Sequence, residues 1–141
     1  MERVPAKVLD ALAAVPLFSA CSRVELRSIS RLGTAVEARH GSLLTEQGSS
    51  GSEFCLLLAG KARCLVDGRQ VAMLEAGDFF GEMALLDRGP RRATVVADGP
   101  VSLLVLDARE FGRLLDASPS IARKLLVAFA ERTRTAGSVS D

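Results

Sequence analysis

Tryptophan and tyrosine are missing from the 141 residues, and histidine occurs once, at position 40. No basic stripe interleaved with aromatics can be drawn, and a net charge of +1 gives no footprint for a polynucleotide or an acidic membrane surface. Direct DNA binding is not expected. The three cysteines, Cys21, Cys55 and Cys64, form an odd and widely spaced set without a CxxC pair. That argues against a disulfide framework and for a reduced, cytoplasmic protein, and with the single His40 it matches no common zinc-ligand spacing. No metal and no cofactor are expected. Cys55 and Cys64 fall inside apolar, strand-like runs and read as small core residues. The longest apolar runs, Cys55–Ala59 and Val101–Leu106, are far too short to span a bilayer. The start, Met1–Pro5, lacks the layout of a secretory signal. Catalytic patterns are lacking too: no Ser/His/Asp or Cys/His set, no GxxxxGK[ST] and no GxGxxG. The chain reads as a non-enzyme.

What is present is an ordinary globular composition, 48% apolar and 25% charged, in a length that suits one domain. Val8, Leu12 and Val15 recur at helical spacing before Pro16, and Leu26, Ile29 and Leu32 do so after Ser22. Ser22 followed by Glu25 predicts a capping box. From Gly33 to Leu106 short apolar runs alternate with glycine-centred turns at Gly41, Gly48, Gly60, Gly68, Gly77 and Gly99. That spacing predicts an all-β sandwich or barrel. Asp67–Gly68 is the clearest two-residue hairpin turn. Helical period returns after Leu106. Asp107 with Glu110 predicts a second capping box, Phe111, Leu114 and Leu115 an apolar face, and Ser118–Pro119 a new helix carrying Ile121, Leu125, Ala128 and Phe129. One domain follows: helical residues 1–32, a β-barrel over 33–106, closing helices over 107–136 and a flexible tail at 137–141.

Chemistry concentrates between Phe79 and Val95. Gly81 opens a short apolar helix, where close backbone approach and unsatisfied N–H groups suit an anion; alone, such a glycine is more often only a turn. Glu82 is acceptor-only, so it is either a first-turn carboxylate stabilised by the helix dipole or an acceptor for a hydroxyl beside the anion. Met83, Ala84, Leu85 and Leu86 make the turn apolar on nearly every side, and the small Ala84 leaves room near the backbone. Pro90 delivers Arg91 and Arg92 to the next strand. Arg91 can give two parallel N–H bonds to an anion, or serve as a surface residue or as an ion-pair partner of Glu82. Alternation sends Arg92 to the opposite face.

Taken together, Phe80-Gly81-Glu82, the apolar turn, and Pro90-Arg91 through Ala93-Thr94-Val95 closely resemble the phosphate-binding cassette of cyclic nucleotide-binding domains. Pro16-Leu17-Phe18-Ser19 and Gly41–Gly48 extend the likeness over about residues 15–134. The resemblance implies a mainly β fold with flanking helices, an eight-stranded jelly-roll-like β-barrel with N-terminal helices, a short cassette helix and two C-terminal helices. It implies that Phe80, Gly81, Glu82, Met83, Ala84, Arg91, Arg92 and Ala93 line the ligand, with Arg91 on the cyclic phosphate and Glu82 on the ribose 2′-hydroxyl. Cys64 and Val66 would face the base, and Leu125, Leu126 and Phe129 would come from a closing lid. Similar domains carry Ala, Ser or Thr where this chain has Arg92, and a hydroxyl there goes with cGMP, so the departure leans towards cAMP with cGMP left open. The function implied is a regulatory sensor acting through its last helix on an effector domain or partner protein, with a homodimer open. The alternatives are a nucleotide-independent interaction or dimerisation module with the same fold, and the sensor part of a larger regulator.

Overall fold

The computed structural model describes residues 6–15, 18, 21–51, 53–81 and 89–140, with the backbone alone at 6, 7, 128, 129 and 132–140. Two helices come first, α1 (Ala6–Ala13) and α2 (Arg23–Leu32). The Ser22 hydroxyl accepts from the Glu25 amide and the Glu25 carboxylate accepts from the Ser22 amide, so the expected capping box closes α2 at its start. Strands β1 (Thr34–Ala38), β2 (Leu43–Thr45), β3 (Phe54–Val66), β4 (Arg69–Leu74), β5 (Phe79–Phe80) and β6 (Thr94–Leu106) follow. Helices α3 (Ala108–Ala117), capped by the second expected box at Asp107 and Glu110, and α4 (Pro119–Ser140) complete the chain. Helix α4 runs through residues 137–140, where the sequence reading expects a flexible tail.

Among the described residues the strands form one antiparallel sheet in the order β1-β6-β3-β4, with β2 also on β6 and β5 also on β3. The architecture is mainly β with flanking helices. The expected count of eight strands in a closed barrel is not reached; there are six, in a sheet that does not close among these residues. Two of the expected turns explain the difference. Ala59-Gly60-Lys61 and Asp98-Gly99-Pro100 are kinks inside β3 and β6, each a continuous strand of 13 residues. Register slips between Leu57 and Ala59 and again between Ala59 and Lys61. Gly60 has φ +89, a left-handed backbone, and a Cβ there would run into the Pro100 carbonyl. The strands therefore bend together instead of ending. The Asp67–Gly68 turn is as expected, with φ 52 and 78, the signs a type I′ hairpin needs.

Alternation along β3 sorts the core into two sides. Phe54, Leu56 and Leu58 point to the helices and pack with Leu12, Phe18, Leu26, Ile29, Phe111, Ile121 and Leu125. The Phe54 ring lies 5.6 Å from Phe79 and 5.2 Å from Phe111, centroid to centroid. Cys55, Leu57 and Ala62 point the other way, with Phe80, Val95, Ala97, Val101 and Leu103. Phe79 and Phe80 in β5 split between the two sides in the same manner. This second, inner side carries Phe80, the residue before Gly81 of the cassette.

Candidate functional site

Arg91 occupies the centre of the cassette's described part. The coil that carries it, with the first residue of β6, is laced to the end of β2 and the β2–β3 connection by four hydrogen bonds. Thr45 Oγ1 donates to the Ala93 carbonyl at 3.1 Å, and the Gln47 amide donates to Thr94 Oγ1 at 3.0 Å. The Gly48 amide donates to the Arg91 carbonyl at 2.8 Å, and the Arg91 amide donates to the Ser49 carbonyl at 2.9 Å. Arg91 and Arg92 thus precede β6 instead of lying on it. Even so the two side chains part as alternation suggests: Arg91 is only 7% exposed and Arg92 is exposed.

The guanidinium of Arg91 is held by main chain. Its Nη1 donates to the Glu53 carbonyl at 2.9 Å and to the Gly81 carbonyl at 3.4 Å. Among the described residues no carboxylate pairs with it. Two glycines make the slot. A Cβ on Gly51 would stand 2.8 Å from Arg91 Nε, and one on Gly81 would collide with Nη1 and the Glu53 carbonyl. Gly81 also has φ +87, which an L-residue adopts only with strain. The neighbouring Cys55 thiol is pushed up to about 12, mainly by burial, with the Arg91 charge opposing and the Glu53 charge assisting. Buried thiol and arginine thus share one end of the sheet.

Of the other residues singled out in the sequence, Phe80 is buried against Cys55 as its cross-strand partner, and the Ala93 carbonyl is tied to Thr45. Cys64 sits at the edge of the same apolar side, opposite Val95 and Ala72, and Val66 is half-buried at the hairpin. Leu125 is fully buried in the helix-side core, while Leu126 is 65% exposed on α4. Glu82, Met83 and Ala84, with the rest of the cassette helix, lie outside the described residues, as does the Phe129 side chain. Sequence reasoning missed the Glu53 carbonyl and Gly51. A main-chain acceptor leaves no trace in residue type.

A scan against family models matches residues 35–118 to the cyclic nucleotide-binding domain. The chain belongs to the cyclic nucleotide-binding domain family. The match covers β1 through α3, including both halves of the cassette that flank the arginine slot. Among curated relatives, a cAMP-dependent protein kinase regulatory subunit of Aspergillus fumigatus is 39% identical over 113 residues, 78% of this chain and 27% of its own length. The chain spans between 24% and 34% of the first curated relatives it matches. The solved catabolite activator protein of Thermus thermophilus superposes with a TM-score of 0.80 at 31% identity, over 89% of this chain and 62% of that one. The regulatory domain of Toxoplasma gondii PKA, solved with cAMP, gives a TM-score of 0.74 at 25% identity, covering 90% of this chain and 49% of that one. Among the described residues of this cyclic nucleotide-binding domain, no group of three or more His, Cys, Asp and Glu could hold a metal ion. No helix there is long and apolar enough to cross a membrane.

Proposed function

We propose that this domain senses a cyclic ribonucleotide, cAMP in preference to cGMP, and passes the binding event to an effector through α4. The observation that carries the reading is Arg91, a buried cation whose partners among the described residues are carbonyl oxygens. Removing a charge from water costs several kcal/mol unless an opposite charge and hydrogen bonds compensate. Two carbonyls compensate in part; the anion of a cyclic phosphate, gripped by the same guanidinium, supplies the rest. Glu82 then takes the ribose 2′-hydroxyl, and the apolar side lined by Phe80, Cys64 and Val66 receives the base. The preference for cAMP is supported by the missing hydroxyl at Arg92. Both Glu82 and Arg91 are assigned as binding groups, with no catalytic task.

Helix α4 carries exposed Leu126 and Val127, a surface suited to an effector domain or to a second copy of the chain. The same pair favours the second reading, an interaction module that works without nucleotide. The three cysteines are free, which supports a cytoplasmic setting. Isothermal titration with cAMP and cGMP separates the readings. The sensor binds cAMP more tightly, and Arg91→Ala loses about 1.5–3 kcal/mol of affinity, tenfold or more. Binding of 2′-deoxy-cAMP is weaker than that of cAMP, and Glu82→Ala removes the gap. No heat with either nucleotide, or an unchanged affinity in Arg91→Ala, rejects the sensor and leaves the interaction module.

A further inference from the structure

Gln47 sits on the turn that laces Arg91, yet its side chain points elsewhere. Its Nε2 donates to Asp67 Oδ1 at 2.9 Å, and its Oε1 accepts from the Asp67 amide at 2.8 Å. Both ends of the amide are therefore engaged by one residue, the first of the hairpin turn between β3 and β4. Asp67 is also the one non-glycine residue with positive φ among those described. On the main-chain side, Gln47 donates to Thr94 Oγ1, and the next two residues exchange hydrogen bonds with Arg91. A continuous path results: hairpin tip, Gln47, Gly48 and Ser49, Arg91 main chain, Arg91 guanidinium. Each bond in it is 3.0 Å or shorter as far as Nη1 on the Glu53 carbonyl.

We infer that Gln47 is a positioning residue that fixes Arg91 relative to the β3–β4 hairpin, so that the anion-binding and base-facing parts of the site are set at one separation before ligand arrives. The inference rests on the sensor reading for its effect on affinity, though not for its effect on the unliganded protein. The neighbouring turn would otherwise be free to hinge at Gly48, whose φ is +85. Preorganisation of this kind raises affinity by removing an ordering cost from the binding step.

The test uses the whole chain and two readouts. In the unliganded protein, hydrogen exchange is followed at the Gly48, Asp67 and Arg91 amides, with Leu56 and Leu104 in the central strands as controls. Gln47→Ala speeds exchange at the first three by about tenfold, the scale of losing its two ordinary side-chain hydrogen bonds to Asp67, and leaves the controls unchanged. Asp67→Asn keeps both the Oδ1 acceptor and a residue tolerant of positive φ, and exchanges like the wild type. With cAMP as probe, Gln47→Ala weakens binding about tenfold, and Asp67→Asn binds as the wild type does. In the Arg91→Lys background, Gln47→Ala adds less than a further twofold, because it acts through the arginine. Unchanged exchange at Gly48 and Arg91 in Gln47→Ala overturns the inference, as does a full tenfold loss on top of Arg91→Lys. A wild-type chain that binds neither cAMP nor cGMP refutes the sensor reading instead, and exchange alone then decides for or against the positioning role.

Discussion

The two sides of the central sheet are built from different stock. The helix side collects Phe18, Phe54, Phe79 and Phe111 with a set of leucines and isoleucines from every helix. The inner side holds Ala62, Ala97, Cys55, Val95 and Val101 around two leucines, Leu57 and Leu103, with Phe80 as its one aromatic residue among those described. The same strands supply both, residue by residue in alternation. Large, interdigitating side chains maximise apolar area removed from water, and that side carries most of the stability. Small side chains give up part of that gain. They lie where the Arg91 charge is felt, at Cys55, and where a ligand is proposed to enter. One sheet thus separates the task of staying folded from the task of receiving a guest.

Substitutions on the two sides should differ in kind as well as in size. The largest expected effect is Phe54→Ala, which removes a ring packed against two others. It should cost about 3–5 kcal/mol in urea unfolding. Cyclic nucleotide affinity of the remaining folded fraction should stay near that of the wild type; a loss there as large as the loss in stability would erase the division. Ala97→Leu works from the other direction, forcing volume into the small-residue side. An overpacking cost of about 1–3 kcal/mol is expected, together with weakened cAMP binding measured by titration. Smaller again is Ser22→Ala, which removes the cap of α2 and should cost about 1 kcal/mol by thermal unfolding, with no effect on binding.

The smallest effect at neutral pH belongs to Cys55. Its thiol is raised from 9.0 to about 12 by burial, so the folded state disfavours the thiolate. A folded-state value above the unfolded one contributes stability that is complete below pH 9 and is lost as pH climbs towards 12. Cys55→Ala should therefore flatten the alkaline limb of the stability profile. At pH 8 iodoacetamide should modify Cys55 only when denaturant unfolds the chain, and labelling of the native protein at Cys55 would show that the inner side is open to reagent.

Much of this was legible in the residues. Ser22 with Glu25 and Asp107 with Glu110 announce their capping boxes because the chemistry is local, within three residues. Asp67–Gly68 announces its turn for the same reason. The family was legible from the cassette motif. What sequence could not show is non-local or carried by main chain. Gly60 and Gly99 look like any other turn glycines, and only the pairing of β3 with β6 turns them into kinks. Gln47 reaches Asp67 across 20 positions, beyond any periodicity. The helix-side and inner-side residues of β3 read as one apolar run, since a strand buried on both faces shows no alternation of polarity.

Glu53 and Gly81 both offer Arg91 a carbonyl, yet the two positions differ in what a mutational scan of binding would see. Every amino acid has a carbonyl, and the Glu53 side chain is exposed, so position 53 would score as silent across the non-proline substitutions. Position 81 would score as forbidden, because there any Cβ meets both the arginine and the Glu53 carbonyl. Partners of one guanidinium nitrogen, they would leave opposite statistical signatures, and a ranking of residues by tolerance to change would find half of the arginine's cradle and overlook the other half, the one with the shorter bond.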